Sequence, residues 1–328
     1  MMNQPTQRRV GRALRAGGPE VIEIGVEELA PLKAGEAPVR VEAAGLNHAE
    51  TLIRSGKYTV RLPFPFPLGG EGSGVVVAAG PGASISVATR VCWAAVLGSC
   101  ATFVVAPASM LVPIPDGLSF EDGACLAVAS LTAGGLARVW PLKGREAVVW
   151  GAAGAVGRML VAILADQQVK VIGIASGKRV DAVRAAGASH IIDRAVEDVP
   201  EAVRGYTGGH GAAAVFDPIG AETYETSLQL LAPRGCLISY GELSGPAPAM
   251  NLPQLFSGSL FVTKYNGMRW VEGVAEIPAL VSEGLTLAAK RRAVISDVAG
   301  RFGLNQIIDA YRALESEPQG KVLVLPGV

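Results

Sequence analysis

The sequence has no excess charge of either sign, few charged residues and no paired cysteines. Its 29 basic and 29 acidic side chains cancel, and charged residues make up 18% of the chain, below the roughly one quarter typical of soluble domains. Zero net charge gives no electrostatic basis for a nucleic-acid partner, so we expect none. Cys92, Cys100, Cys125 and Cys236 form no C-x-x-C pair. We therefore expect buried, reduced thiols and a cytoplasmic protein.

No stretch has the composition of a membrane helix or of a secretory signal. The longest run without a charged residue, 91–115, contains Pro107, Pro113 and Pro115, which would interrupt a membrane helix. The arginines near the N-terminus are not followed by an apolar segment, as a secretory signal requires. We therefore expect neither a membrane span nor a secretory signal.

Glycine and apolar residues are abundant, and the chain is long enough for two domains with large cores. It has 328 residues, of which half are hydrophobic and 41 are glycine,. Up to about residue 120, Val-rich runs at 39–42, 74–77 and 91–96 lie between glycines and prolines, which predicts a β-rich region. The alternating prolines of 62–67 predict a loop, because proline cannot join an interior ladder.

Beyond residue 131, short apolar strands alternate with helices. Strands are predicted at 146–150, 169–174, 190–193, 213–217, 236–240 and 321–325,. Helices are predicted up to about 165, up to about 187, and at 199–205, 221–231, 271–282 and 304–314, with Gly235 as a helix stop,. This alternation is typical of βαβ crossovers and a parallel sheet.

The strongest local signal is VVWGAAGAVG at 148–157. A strand leads into a glycine-rich turn and directly into a helix, the context that a dinucleotide fingerprint requires, although the spacing is G-x-x-G-x-x-G. Small residues let the backbone approach a pyrophosphate, which the first N–H groups of the helix attract. The alternative is a turn without a ligand. The predicted nucleotide contacts are Gly151, Ala153, Gly154, Ala155, Val156 and Gly157.

The end of the next strand carries cations where a preference for NAD would need an acid. An acidic residue about 20 positions beyond the glycines would bind the ribose 2′-hydroxyl. No carboxylate occurs between Asp166 and Asp181, so the sequence favours NADP(H). The predicted 2′-phosphate contacts are Ser176, Lys178, Arg179 and, after the following strand, Arg194. The alternative is that these cations are solvated charges at helix starts.

Short motifs in a fixed order run along nearly the whole chain. They are GLNHAE at 45–50, IRSGKY at 53–58, LGGEGSG at 68–74, GAAGAVG at 151–157, AAGA at 185–188, FDPIG at 216–220, the segment 235–241, GSLFVT at 258–263 and GKV at 320–322. In this order the motifs resemble the zinc-independent, zeta-crystallin-like quinone oxidoreductases of the medium-chain dehydrogenase/reductase superfamily.

The resemblance implies a two-domain α/β fold. Residues 1–126 and 265–328 would form a β-rich, GroES-like catalytic domain, and residues 127–264 a Rossmann domain with a doubly wound parallel sheet. It also implies NADP(H) as the cofactor, hydride transfer to a quinone or a related α,β-unsaturated carbonyl, and a homodimer.

The chain departs from the zinc-dependent members of that superfamily. They carry a Cys near the position of His48, and Gly-His-Glu where this chain has Gly70 and Glu71. Glu71 alone cannot form a three-ligand catalytic zinc site, so we expect no metal. Without a Lewis acid, reduction of an acceptor already activated by conjugation is favoured over alcohol oxidation.

Asn47 and Tyr58 are the candidate catalytic residues that the resemblance points to. The Asn47 amide would donate to a developing negative charge on the acceptor oxygen. The Tyr58 phenol resembles the tyrosine of related enoyl-thioester reductases and can donate a proton at neutral pH. The alternatives are that Asn47 caps a turn and that Tyr58 only packs against the site wall.

The resemblance also supplies contacts on the nicotinamide side of the cofactor. Family members contact nicotinamide at positions that match Thr132, Phe261 and Val262, the last two through the backbone. The remaining carry-overs to the cofactor site are Tyr240, Gly241 and Lys321.

Two other functions stay open. Leu52 stands where some bacterial members have an aromatic residue, which favours an enone, 2-alkenal or enoyl-thioester as the acceptor. A protein that binds NADPH without turnover is the alternative from a different class.

Overall fold

The computed structural model describes residues 5–316 and 318–328, in two compact units. The first unit runs to Leu131 and takes in Gly273–Lys290 and Ile295–Val328. The second comprises Thr132–Glu272 and Arg291–Val294. The sequence put these boundaries at 126/127 and 264/265.

The described residues form strands and helices in both units. The strands are β1 (Gln7–Ala13), β2 (Ile22–Glu28), β3 (Glu36–Gly45), β4 (Phe66–Pro67), β5 (Glu71–Val76), β6 (Arg90–Ala94), β7 (Phe103–Pro107), β8 (Val112–Pro113), β9 (Glu146–Val149), β10 (Lys170–Ala175), β11 (His190–Asp193), β12 (Ala212–Asp217), β13 (Leu231–Ser239), β14 (Phe261–Lys264), β15 (Val298–Gly303) and β16 (Lys321–Leu325). The helices are α1 (His48–Arg54), α2 (Phe120–Leu136), α3 (Ala155–Asp166), α4 (Val180–Ala186), α5 (Val199–Tyr206), α6 (Tyr224–Gln229), α7 (Pro253–Phe256), α8 (Gly267–Trp270), α9 (Glu276–Lys290) and α10 (Ile307–Glu315).

The first unit is β-rich, as its short Val-rich runs predicted. A seven-stranded sheet has the order β15-β16-β3-β5-β6-β8, with β7 paired to β3, and a three-stranded sheet has the order β2-β1-β4. Only the end of the predicted proline loop, Phe66–Pro67, joins a sheet, and it does so at an edge, where a missing N–H is tolerated.

The second unit contains a six-stranded parallel sheet in the order β11-β10-β9-β12-β13-β14. Counted from β9, this is the doubly wound order 3-2-1-4-5-6, which confirms the predicted Rossmann architecture. Strand β12 is buried at every position, as expected for a parallel strand covered on both faces. The strand order reverses between β9 and β12, and ligands bind such sheets at the carboxyl ends beside the reversal.

Two sequence predictions for helix ends were wrong. Gly235 does not stop a helix: α6 ends at Gln229, and Gly235 lies inside β13. It stands where β13 bulges against β12, and a Cβ there would lie 2.8 Å from the Ala232 carbonyl oxygen. The helix predicted at 271–282 is α9 instead, whose buried residues recur at helical spacing from Ile277 to Ala288.

Helix α2 was missed because it has no polar face that a periodicity could reveal. Its sequence, FEDGACLAVASLTAGGL, is small or apolar after the first turn, and most of these positions are buried. A helix that is apolar all round gives no amphipathic signal.

All four cysteines are free and buried, as predicted. Burial raises the pKa of each thiol, to about 11 for Cys236, so the thiols stay protonated near neutral pH. Among the helices of residues 5–316 and 318–328, none combines the length and apolarity needed to cross a bilayer.

A buried arginine ties together two helices of the first unit. Arg54, the last residue of α1, is 1% exposed and pairs with Glu315, the last residue of α10. Its Nε donates to the Gly17 carbonyl oxygen at 3.2 Å, and its guanidinium lies 5.1 Å from the ring centroid of buried Tyr311. The buried cation thus depends on Glu315 for its one carboxylate partner among the described residues.

We expect Glu315→Ala to lower the free energy of unfolding by about 1–3 kcal/mol, because it leaves a buried charged donor unpaired. The matched control on the same helix is Asp309→Ala, which removes an exposed pair with Arg312 and should cost less than about 0.5 kcal/mol. Denaturant unfolding measures both; equal losses would contradict the role given to Arg54.

Candidate active site

The glycine turn after β9 leads straight into α3, as predicted. Gly151 has φ +60°, the left-handed region that favours glycine,. Gly154 is the N-cap of α3 and has no side chain that could accept the first N–H groups. The N–H groups of Ala155, Val156 and Gly157 therefore have no partner within the helix, and together with the helix dipole they attract an anion.

The two later glycines of the turn serve different purposes. A Cβ at Gly157 would lie 2.2 Å from the Gly151 carbonyl oxygen and 2.8 Å from Ala152 Cα, so this glycine is required for packing of the helix against the turn. A Cβ at Gly154 would meet only the Gly151 oxygen, at 3.3 Å. Gly154 is exposed, so its open face can admit a phosphate.

Arg158 braces this turn and was missed by the sequence reasoning. It lies on the first turn of α3, is 6% exposed, and donates from Nε to the Ala153 carbonyl oxygen at 2.9 Å. This bond engages the Ala153 carbonyl, whose oxygen would repel an anion. A buried arginine just after a glycine turn is a signal that could have been used.

The predicted 2′-phosphate residues come together at the carboxyl ends of β10 and β11. Ser176 follows β10, and Arg194 follows β11 and donates from Nε to Ser176 Oγ at 3.1 Å. Lys178 and Arg179 lie in the 3₁₀ turn Gly177–Arg179 directly after Ser176. The four predicted residues thus form one cationic corner.

An acid does reach this corner, from the neighbouring strand. Asp193 ends β11 and pairs in register with Ala175. Its carboxylate accepts the Gly177 N–H, 3.1 Å from each oxygen, and the Ala195 N–H at 3.0 Å. Both oxygens are thus occupied by backbone donors, so Asp193 holds the loop that carries the cations.

The buried Asp217 carboxylate organises the end of β12, beside the reversal of the sheet. Asp217 Oδ1 accepts from Ile219 N at 2.7 Å, and Oδ2 accepts from the hydroxyls of Thr223 at 2.7 Å and Ser227 at 2.8 Å. Next to it, burial and then the Asp217 charge raise the pKa of the Tyr240 hydroxyl.

Gly241 follows Tyr240 and has no room for a side chain. A Cβ there would lie 2.3 Å from the Pro218 carbonyl oxygen. The two predicted cofactor residues therefore lie against the backbone turn that Asp217 holds at this end of the sheet.

The register of β14 separates Phe261 and Val262 from the ligand-binding edge. Phe261 begins β14 and is level with Ala147 of β9 through its pairing with Cys236 and Ala214. Its ring is half-exposed and packs on Trp140 at 5.0 Å. Lys264 and Tyr265, at the other end of β14, are the residues at the carboxyl edge.

In the first unit, Asn47 and Lys321 meet at Glu71. Glu71 is fully buried, and its Oε1 accepts from Lys321 Nζ and from Asn47 Nδ2, the latter at 2.8 Å. Lys321 Nζ also donates to Asn47 Oδ1 at 2.8 Å. Asn47 is the N-cap of α1, but its side chain makes no capping bond, so the alternative that it caps a turn does not hold.

Glu50, the last residue of the GLNHAE motif, extends this cluster. Its Oε2 accepts from the Tyr311 hydroxyl at 2.8 Å, and its Oε1 lies 3.4 Å from Gly70 N and 3.5 Å from Asn47 Nδ2. Burial raises the pKa of the Glu50 carboxyl, against the lowering effect of the Tyr311 bond.

For the predicted catalytic Tyr58 and the predicted nicotinamide contact Thr132, the structure gives the position in the fold. Tyr58 lies beyond the end of α1, half-buried, with its backbone N–H bonded to the Leu52 carbonyl oxygen at 3.1 Å. Thr132 lies within α2. The catalytic and nicotinamide roles of Tyr58 and Thr132 stay predictions.

No three His, Cys, Asp or Glu side chains within residues 5–316 and 318–328 come together as a ligand set for a metal. Glu71 stands where the zinc-dependent members of the superfamily have the Glu of Gly-His-Glu. Both of its carboxylate oxygens are already in hydrogen bonds, Oε1 with Lys321 Nζ and Oε2 with Val128 N at 2.6 Å.

Comparison with known proteins matches both units. Residues 33–116 match the alcohol dehydrogenase GroES-like domain, and residues 155–283 match the zinc-binding dehydrogenase domain. A quinone oxidoreductase of Pseudomonas aeruginosa is 34% identical over 319 residues, which cover 94% of this chain and 97% of that protein. The chain belongs to the quinone oxidoreductase family.

Two further proteins are similar to this member of the quinone oxidoreductase family. A 2-haloacrylate reductase of a Burkholderia species is 30% identical, over 89% of this chain and 91% of that protein. The structure of an Escherichia coli quinone oxidoreductase complexed with NADPH has a TM-score of 0.84 and 30% identity, covering 97% of this chain and all of that one.

Two alanine variants separate the packing glycine from the ligand glycine. We expect Gly157→Ala to lower the free energy of unfolding by about 1–3 kcal/mol through overpacking. Gly154→Ala should fold normally and bind NADPH more weakly, because its Cβ fills the open face of the turn. Thermal unfolding and fluorescence titration with NADPH measure the two effects; undiminished NADPH affinity in Gly154→Ala would contradict the pyrophosphate site.

Proposed function

We propose that the protein is an NADPH-dependent reductase that transfers hydride to a quinone without a metal. The observation that carries this proposal is the second unit's anion site: an uncapped α3 N-terminus at the reversal of the sheet, beside a corner of four predicted 2′-phosphate contacts. The quinone oxidoreductase relatives, one of them complexed with NADPH, support the acceptor and the cofactor.

The residues present fit the cofactor. The N–H groups of residues 155–157 would bind the pyrophosphate, and Arg194 with Ser176 would bind the 2′-phosphate, aided by Lys178 and Arg179. The open face at Gly154 is the space that a phosphate would need. When bound, NADPH supplies the hydride, and the chain's own contribution is orientation and charge.

The first unit would stabilise the reduced acceptor. Lys321 contributes a buried cation, and Asn47 is held beside it. A quinone is already electrophilic and needs no Lewis acid, which suits a site whose Glu71 carboxylate is bonded to Lys321 and Val128. The proton on the acceptor oxygen can come from the Tyr58 hydroxyl or from water.

The test is oxidation of NADPH by purified, chelator-treated protein with a simple benzoquinone. We expect acceptor-dependent oxidation that chelation does not reduce. Tight NADPH binding with no oxidation would contradict the proposal and favour a binding protein without turnover.

A second candidate function is reduction of an activated alkene. The 2-haloacrylate reductase relative supports it, as does Leu52, which offers no aromatic surface for a planar quinone. Alkene reduction must deliver a proton to carbon, for which Tyr58 is the candidate. With a 2-haloacrylate as acceptor, we expect Tyr58→Phe to lose turnover while quinone reduction persists; unchanged alkene turnover would remove Tyr58 from the acid role.

Cofactor selectivity should reside in the cationic corner. We expect the triple variant Lys178→Ala, Arg179→Ala, Arg194→Ala to bind NADPH about 100-fold more weakly through loss of charge-assisted bonds, with NADH affinity changed less than about threefold. A control triple variant at exposed Lys170, Arg184 and Arg204 removes the same charge elsewhere in the second unit. Equal losses for the two cofactors would refute the assignment.

A further inference from the structure

The buried cluster at Glu71 joins distant segments of the first unit through one carboxylate. Glu71 on β5 is 0% exposed, and the side chain of Lys321 on β16 is 6% exposed. Oε1 accepts from Lys321 and Asn47, and Oε2 accepts from Val128 N at 2.6 Å. A carboxylate so placed determines the positions of all three donors at once.

The cluster leaves the Asn47 amide one orientation. Its Oδ1 accepts from Lys321 Nζ and its Nδ2 donates to Glu71 Oε1, both at 2.8 Å. A flipped amide would set its NH₂ against an ammonium and its carbonyl against a carboxylate, and both contacts are repulsive. Glu71 and Lys321 together therefore decide which way Asn47 points.

The same carboxylate reaches helix α2. The Val128 N–H lies within this helix and donates to Glu71. Thr132, a predicted nicotinamide contact, follows four residues later on α2, about one turn along. The Glu71 contact thus helps to fix the position of α2 at Val128, one turn before Thr132.

The backbone beside this cluster has no space for a side chain at Gly45. A Cβ at Gly45 would lie 2.4 Å from the Ala124 carbonyl oxygen and 2.8 Å from both Glu71 Oε1 and Lys321 Cε. Strand β3 therefore has to pass the cluster without a side chain at this position.

We propose that Glu71 is a positioning residue of the reductase. It holds the Asn47 amide, the Lys321 ammonium and the Val128 turn of α2 in one fixed arrangement, on which the roles proposed for these residues depend. The inference rests on the proposed function, since it gives Asn47, Lys321 and Thr132 their roles. The competing view is that Glu71 only fastens β5 to α2.

Ser73 is the matched control for that competing view. It lies on the same strand two residues beyond Glu71, is fully buried, and donates from Oγ to the Phe120 carbonyl oxygen at the start of α2, at 2.6 Å. Ser73→Ala therefore removes a buried bond between β5 and α2 without touching Asn47 or Lys321.

The experiment compares Glu71→Gln and Ser73→Ala in the full chain at a temperature where both are folded. Glu71→Gln keeps the shape, but its NH₂ cannot accept a donor. We expect kcat for the quinone to fall at least about tenfold, as small misplacements of reacting groups do, and NADPH affinity to fall with it. Ser73→Ala should lose stability while kcat and NADPH affinity stay within about twofold of the parent.

Two outcomes would overturn the inference: kinetic constants and NADPH affinity of Glu71→Gln matching those of the parent, or losses equal to those of Ser73→Ala. If Glu71→Gln does not fold, Glu71→Asp carries the same test, because it keeps the buried charge but is too short to reach Lys321 and Val128 together. NADPH affinity is measured without an acceptor, so it decides the point even if the parent reduces no quinone, a result that would contradict only the proposed function.

Discussion

The neutralisation of one buried carboxylate constrains most of the first unit's candidate site. A charge without water around it must have donors on every side, and Glu71 finds them in Lys321, Asn47 and the Val128 backbone. Those donors come from the last strand, the N-cap of the first helix and α2, so the position of each depends on the others. The hydrogen bonds that neutralise the Glu71 carboxylate are therefore the same ones that fix the positions of its three donors.

The second unit has the opposite requirement: to bind an anion, it must keep some hydrogen-bond donors unpaired. The α3 N-terminus has no capping side chain, and Arg158 engages the Ala153 carbonyl. At the neighbouring strand ends, the Asp193 carboxylate accepts backbone N–H groups, so its oxygens are already engaged beside the cations that we propose for the 2′-phosphate. A zinc ion in the first unit would compete with Lys321 for Glu71, and this favours the metal-free chemistry proposed.

The second unit was predicted well because its signals are local. The strand His190–Asp193 coincides with the predicted residues, and Gly151 to Gly157 form the expected turn. Helix α2 was missed because its apolar sequence has no polar face. The partners of Glu71 were missed because they lie far from it in the sequence, at positions 47, 128 and 321. Asp193 was missed because it reaches Gly177 across a strand pair, where a search along the chain cannot find it.

The most direct test of this account is a single-turnover measurement of NADPH oxidation by the enzyme on mixing with a quinone. NADPH is compared with NADPH that carries deuterium in place of the transferred hydride. The account predicts an acceptor-dependent transient that is slower with deuterium, because hydride passes directly from the bound cofactor. Equal transients for the two cofactors, or none on addition of quinone, would contradict it.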